Sequence, residues 1–242
     1  MITVQPISED SIILYFGNEI SLQITQTIMR LVEQLTLNSP SHIFSEKIKQ
    51  NILEVTPSYT SLFIQYRSSQ LSGDELSHAL QVWTHSSDLT GQQFESKTTH
   101  QLPVYYHPEV GPDLHYLTLR HKLSQEEVVQ RHQQTDYHVY AIGFAPGFAF
   151  LGNVDPHIAT PRHDSPRLHI PAGSVGIANQ QTAVYPSDSP GGWQIIGNCP
   201  LSLFSLEANP MTPFNIGDKV KFNAITRNEF LQLGGIICTH WK

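Results

Sequence analysis

Apolar and polar positions change rhythm along this chain, and each change marks an element. In SIILYFG (11–17) apolar residues run to a glycine, the pattern of a buried strand closed by a turn. From 19 to 37 the period lengthens: Ile24, Ile28, Leu31 and Leu35 recur at helical spacing until NSPS breaks the run. NILEVTPSYTSLFIQY (51–66) reads as two strands, with Leu62, Ile64 and Tyr66 alternating with Phe63 and Gln65. Ser72 and Glu75 of SGDE make a capping-box pattern, which opens a helix with Leu76, Leu80 and Trp83 on one stripe. HQLPVYYH (100–107) is a further strand candidate.

The second half follows other rules. SQEE (124–127) opens one helix, with Val128 and Val129 on it. After Tyr137, short apolar runs alternate with Gly, Pro, Asn and Asp, the pattern of an all-β barrel or sandwich with long loops. PFNIGDKVKF (213–222) is a turn into a closing strand in which Val220 and Phe222 alternate. The predicted architecture is therefore α+β. An N-terminal ferredoxin-like α/β sandwich of order β-α-β-β-α-β occupies 1–88, and a β-barrel domain occupies 89–242. The polar stretch SSDLTGQQFESK (86–97) is the candidate linker.

Composition narrows the function classes. The 242 residues carry 14 Lys and Arg against 21 Asp and Glu, a formal charge of −7, and contain no basic run. Non-specific binding to nucleic acid or to an anionic membrane is disfavoured. Cys199 and Cys238 are too few for a four-thiolate zinc site or a disulfide framework. No stretch approaches a membrane span and the first residues have no leader pattern, so a cytoplasmic protein is expected.

Two segments carry the candidate chemistry. YAIGFAPGFAFLG (140–152) is apolar yet punctuated by Gly143, Pro146, Gly147 and Gly152, and YPSDSPGGW (185–193) ends on Gly191, Gly192 and Trp193. Loops of this kind present backbone N–H groups in fixed geometry, with Phe144, Phe148, Phe150 and Trp193 as apolar walls. The competing reading is a tight barrel corner whose aromatics plug the core. Between them, ATPRHDSPRLHIPAGSVGIA repeats a Pro-Arg pair at Arg162 and Arg167, and arginine's planar fork suits carboxylate or phosphate. Two solvated surface arginines are the alternative. PAGSVG (171–176) is neither a P-loop nor a nucleophile elbow, but its backbone around Ser174 is a candidate anion cradle. The thirteen histidines show no metal-ligand spacing, so no tightly bound metal is expected. His132 is either an acid–base group or a helix C-terminal histidine facing the dipole. Asp113 in GPDL is either a turn residue or a site carboxylate, and Cys199 reads as a small buried thiol.

Taken together, GFAPGFAFLG, TPRHDSPRLHIPAGSVGIA, YPSDSPGGWQIIG and GPDL resemble the family of the B component of 5-oxoprolinase, which also goes by the names KipI and allophanate hydrolase subunit 1. The motifs cover about residues 103–222. The resemblance implies a cyclophilin-like β-barrel after the ferredoxin-like domain. It implies a hydrolase acting on a cyclic amide, active only in complex with the C component (directly) and the A component of 5-oxoprolinase. That complex opens 5-oxoproline to L-glutamate with ATP as co-substrate and Mg2+ accompanying it. Phosphorylating the lactam oxygen creates a leaving group, a step that needs positioning and positive charge. On this pattern His132 and Asp113 are acid–base candidates. Arg162, Arg167, Gly143, Gly147, Ser174, Gly191 and Gly192 bind substrate or phosphate, and Phe144, Phe148 and Trp193 wall the pocket. Three positions depart from the family: Phe150 stands where tyrosine is common, and Asn198 and Cys199 where arginine and threonine are usual. A regulatory module that inhibits a sensor histidine kinase is the alternative function within the family. Prolyl isomerisation rests on fold analogy alone.

Overall fold

The computed structural model describes residues 2–36, 42–86, 98–238 and 241. The chain divides into two compact units, Met1–Glu95 and Ser96–Lys242. The NSPS break and nearly all of the candidate linker lie outside the described residues.

The first unit runs β1 (Thr3–Ser8), β2 (Ser11–Tyr15), α1 (Leu22–Gln34), α2 (Glu46–Asn51), β3 (Ile52–Ser58), β4 (Ser61–Tyr66) and α3 (Gly73–Thr84). Its four strands pair antiparallel in the order β1-β2-β4-β3. The alternation in 61–66 resolves as expected: Leu62, Ile64 and Tyr66 are buried against Ile28 and Leu31 of α1 and Leu76, Leu80 and Trp83 of α3 in one core. Ser72 caps α3 by accepting from the Glu75 N–H at 3.2 Å. The order of elements differs from β-α-β-β-α-β at its edge. The run β2–α1–β3–β4–α3 is there, but β1 takes the edge seat expected for residues 100–107. Those residues belong instead to the second unit, where Leu102 and Val104 are buried in the barrel. Strand β1 has little hydrophobic signal of its own because five of its six residues are exposed.

The second unit opens with β5 (Thr99–Val104), α4 (Leu114–His121) and α5 (Gln125–Gln134). It continues through β6 (Tyr137–Ile142), β7 (Ala149–Gly152), β8 (Arg167–Ile170), β9 (Ser174–Ala178), β10 (Gln181–Val184) and β11 (Ser189–Gly191). It ends with β12 (Gln194–Asn198), β13 (Lys219–Ala224) and α6 (Arg227–Gln232). Seven strands form one sheet, β12-β9-β10-β7-β6-β13-β5, in which only β13 and β5 pair in parallel. The two end strands meet just past β5: Tyr105 and Asn198 exchange backbone hydrogen bonds of 2.9 and 3.0 Å. That bridge nearly closes the sheet into a barrel. Gly197 permits it, since a Cβ there would stand 2.8 Å from the Tyr105 carbonyl oxygen. Strands β8 and β11 form a separate two-stranded ribbon.

The α5 capping box forms in full, with Ser124 Oγ accepting from the Glu127 N–H and Glu127 Oε2 from the Ser124 N–H. On its inner face lie Val128 and His132, four residues apart and both fully buried. Thr182 Oγ1 donates to Gly176 O at 2.9 Å, so it accepts from His132 Nε2–H at 2.9 Å. Nδ1 then accepts from Tyr106 O–H at 2.7 Å. Both imidazole nitrogens are thus used inside the barrel core, where Phe222 packs on the ring at 4.6 Å. Burial pushes the His132 pKa down to about 3. The structure places this acid–base candidate in the core as a neutral hydrogen-bonding strut.

A depressed histidine pKa means that the unfolded chain, near 6.5, binds protons the folded chain refuses. Stability is therefore whole above pH 6.5 and falls as pH drops from there toward 3. His132→Gln removes this titration. Denaturant unfolding at pH 7, 6, 5 and 4 should show the wild type losing up to roughly tenfold more in its folding equilibrium per pH unit than the variant. Parallel losses in the two proteins would refute the neutral buried imidazole.

Candidate functional site

The two glycine–proline–aromatic segments meet in space. Residues of both line one cleft of about 300 Å³ in the second unit. Phe144 and Phe148 come from the turn joining β6 to β7, Phe150 from β7, Tyr185 from just after β10, Gly191 from β11, and Trp193 from just before β12. Phe148 is the hub. Its ring lies 5.3 Å from Tyr185 and 5.7 Å from Trp193, at interplanar angles of 84° and 89°. Phe150 packs on it at 4.7 Å and Phe144 at 5.2 Å. The near-perpendicular pairs set positive ring edges against negative faces, the favoured aromatic geometry. Pro166 and Pro190 complete the wall.

The punctuation of 140–152 now has a cause. The chain turns back between Gly143 and Phe148, whose N–H groups donate to Phe148 O and Ala145 O, each at 3.0 Å. Gly147 sits at φ +80°, where a Cβ would stand 2.7 Å from Leu203 O. Phe144 also takes a left-handed backbone, φ 72°, costly for a bulky residue, and holds its ring 67% exposed at the cleft mouth. Tyr185 stays a neutral phenol: burial raises its pKa to about 12, with Arg162, the Trp193 backbone and Arg167 opposing that rise.

Arg162 is the charged member of the lining. It is exposed, and among the described residues its guanidinium forms no hydrogen bond or ion pair. Its backbone is held on both sides. Gln194 Nε2 donates to Pro161 O at 2.9 Å, and the His163 N–H donates to Gly192 O at 2.7 Å. The guanidinium lies beside Gly192, where a Cβ would be 3.7 and 3.8 Å from Nε and Nη2. A cation on a braced loop next to apolar walls is a ready seat for a carboxylate or phosphate.

Arg167 has a different fate. Its Nη2 and Nη1 donate to Asp113 Oδ1 and Oδ2 at 2.6 and 2.9 Å, a bidentate pair in which Asp113 is 5% exposed. The Ile195 N–H donates to Asp113 Oδ2 at 2.6 Å, and the Asp113 N–H returns a bond to Ile195 O at 3.0 Å. Arg167 Nη1 also approaches His163 Nε2 at 2.9 Å. A guanidinium only donates, so that nitrogen accepts. Asp113 precedes α4 yet makes no side-chain cap, because its carboxylate faces Arg167 instead. It is a buried anchor between α4, β12 and the start of β8.

Of the residues singled out in the sequence, the structure gathers Phe144, Phe148, Trp193, Arg162 and Gly191 at the cleft, with Gly192 beside Arg162 and Gly143 and Gly147 shaping its turn. Arg167 and Asp113 hold each other. Ser174 is fully buried in β9, and the N–H groups of Gly173 and Ser174 already donate to Tyr185 O and Pro171 O, so PAGSVG is a turn and not an open anion cradle. Sequence reasoning missed Tyr185, Pro166 and Pro190 as walls and His163 as a neighbour of the Arg167–Asp113 pair. Tyr185 and Pro190 stood within a quoted motif; nothing local distinguished His163 among thirteen histidines. Among the described residues no group of three or more His, Cys, Asp or Glu is placed to hold a metal ion, and no helix is long and apolar enough to cross a membrane.

Comparison with known proteins is specific. Residues 2–214 match the family model "Carboxyltransferase domain, subdomain C and D". The B component of 5-oxoprolinase from Bacillus subtilis is 35% identical over 94% of this chain and 94% of its own length. The component of the same name from Escherichia coli O157:H7 is 34% identical over 89% of this chain and 93% of its own. Among solved structures, TTHA0988 superposes with a TM-score of 0.74 at 30% identity over 93% of this chain. The chain spans 41% of that longer protein.

If Asp113 is an anchor, removing its charge strands a mostly buried guanidinium. Asp113→Asn should lower the unfolding free energy of the second unit by about 3 kcal/mol, read from urea denaturation. Asp113→Asn combined with Arg167→Met should recover part of that loss. A single-variant effect below about 0.5 kcal/mol would remove the anchor from the account.

Proposed function

From the premise that this chain belongs to the family of the 5-oxoprolinase B component, we propose that it serves in an ATP-dependent complex that opens 5-oxo-L-proline to L-glutamate, with the aromatic cleft as the lactam's seat. The observation that carries the assignment is the unpartnered Arg162 guanidinium beside an apolar cleft of about 300 Å³. That volume suits a five-membered ring bearing one carboxylate, and small-molecule sites combine such walls with few polar groups. On this reading the carboxylate pairs with Arg162 and the ring lies against Phe148, Tyr185 and Trp193. The lactam oxygen takes the terminal phosphoryl group of ATP and ADP leaves. Water adds at the carbon and the ring C–N bond breaks as the nitrogen takes a proton, giving an acyl phosphate, from which a second water releases phosphate.

This assignment replaces the acid–base roles of His132 and Asp113 with structural ones, since neither lines the cleft. The C component is the proposed direct partner and the A component the one that completes hydrolysis. ATP and its Mg2+ are co-substrates of the assembled complex; PAGSVG lacks the P-loop pattern and its described N–H groups at Gly173 and Ser174 are occupied. The nearly closed second unit is read as a cyclophilin-like barrel. The first is read as a ferredoxin-like sheet whose edge strand is β1.

The test is glutamate release from 5-oxoproline and ATP by this chain with the A and C components, each omitted in turn. Release should depend on this chain, and Arg162→Ala should cut kcat/KM by roughly ten- to a hundredfold, the loss of one charge-assisted hydrogen bond. Trp193 fluorescence should report 5-oxoproline binding in the wild type and weaker binding in Arg162→Ala. Complex formation with the C component but no release points to another lactam or amide substrate, and no complex at all moves the assignment to the regulatory module.

A further inference from the structure

A second, larger cavity of about 420 Å³ opens on the same barrel and shares no lining residue with the aromatic cleft. The β8–β11 ribbon and its flanks supply both: Pro166, Pro190 and Gly191 on the cleft, His169 and Asp188 on this cavity. The remaining lining comes from residues 171–173 before β9, Pro186, the end of β12 and the segment after it, and residues 234–238 beyond α6.

Its electrostatics are opposite to those of the cleft. Among the described residues no Lys or Arg lines it. Asp188 does, and its carboxylate is held below the usual range first by the Ala172 N–H, donating to Oδ1 at 2.8 Å, and then by His169 Nε2, 3.0 Å from Oδ2. Each oxygen keeps a lone pair, and the side chain is 63% exposed. The second polar feature is built in. Asn198 is only 5% exposed, and its Nδ2 donates to Ala172 O at 3.0 Å. The remaining acceptor, Oδ1, makes no hydrogen bond among the described residues and lies against Gly173, where a Cβ would stand 2.6 Å away. Pro186, Pro200, Leu201 and Ile236 make the other walls apolar.

Two acceptors with no Lys or Arg beside them among the described residues, in an apolar cavity whose His169 is already committed to Asp188, select a particular chemistry. We infer that this cavity is a second ligand site, taking a primary alkylammonium: an amine cation that donates to Asp188 and Asn198 Oδ1 and lays a short carbon chain along Pro186, Pro200 and Leu201. A carboxylate or phosphate of the same size would meet the Asp188 carboxylate with no Lys or Arg to offset it and is disfavoured.

The probes are n-butylammonium chloride and sodium butyrate, which share a carbon chain and differ in the sign of the head group. Each is titrated into the full-length protein at pH 7 and constant ionic strength, with amide shifts followed by 1H–15N NMR. Butylammonium should shift Ala172, Gly173 and Gly235 saturably, butyrate should not, and Asp188→Asn should weaken the apparent affinity by about tenfold. Asparagine keeps an acceptor for the Ala172 N–H at an exposed position, so the variant is expected to fold. Equal shifts from butyrate, an unchanged affinity in Asp188→Asn, or shifts confined to Phe148 and Trp193 would each overturn the inference.

Discussion

The carboxylate of Asp113, a residue only 5% exposed, receives a bidentate guanidinium and a backbone N–H, and the shape of the cleft depends on that convergence. Asp113 opens α4, Ile195 lies in β12 and Arg167 begins β8, so one charge joins a helix, a barrel strand and the ribbon. The loop between Pro161 and Arg167 is thereby fixed at its far end, while Gln194 and Gly192 hold its near end. A loop tied at both ends keeps Arg162 facing the cleft without a carboxylate of its own to neutralise it. Two arginines five residues apart therefore differ in partners: Arg167 completes the scaffold with Asp113, and the Arg162 guanidinium forms no hydrogen bond or ion pair among the described residues.

Barrel closure places a second constraint on the same region. The strand that carries Ile195 also carries Gly197, whose missing side chain lets Tyr105 bridge to Asn198. The α4 anchor and the closing bridge thus act on one five-residue strand. The glycines here leave room for backbone to meet backbone, and the aromatics supply the volume. Phe148, Tyr185 and Trp193 form a cluster continuous with Ile170 and Ile195, so the cleft wall is also core. Such walls hold their rotamers because packing on the far side leaves little alternative.

Much of this was legible in the chain. The α1, α3 and α5 faces, the α5 capping box, the Ser72 cap of α3 and the 61–66 alternation follow from local period and from side chains that satisfy nearby N–H groups. The gathering of 140–152 and 185–193 was suggested by shared composition. The partner of Asp113 was not legible, since Arg167 lies 54 residues away and no local pattern marks an ion pair. His132 lies in the last turn of α5 as one reading had it, but its burial was not read although a cue existed: it falls four residues after Val128, on the apolar face of the helix. Strand β1 and helices α4 and α6 escaped notice because short or exposed elements carry weak periodicity, and their pairing and packing decide them instead.

On the proposed assignment, the placement of Arg162 bears on why a small anion would be enclosed in aromatics. An arginine in bulk water attracts a carboxylate weakly, since solvent competes for both partners. Beside Phe148, Tyr185 and Trp193 part of that solvent is displaced, and the same charge pair strengthens as the local dielectric falls. Tyr185 contributes without adding charge, because burial keeps its phenol protonated across the working range of pH. A phosphorylated lactam is also prone to premature attack by water, and apolar walls limit which waters reach the carbon. The combination of one free cation, a neutral phenol and an otherwise dry wall therefore suits holding a small anion while chemistry proceeds at its far side. No carboxylate or imidazole lines the cleft among the described residues, so on the proposed assignment the proton transfers of ring opening fall to a group outside it.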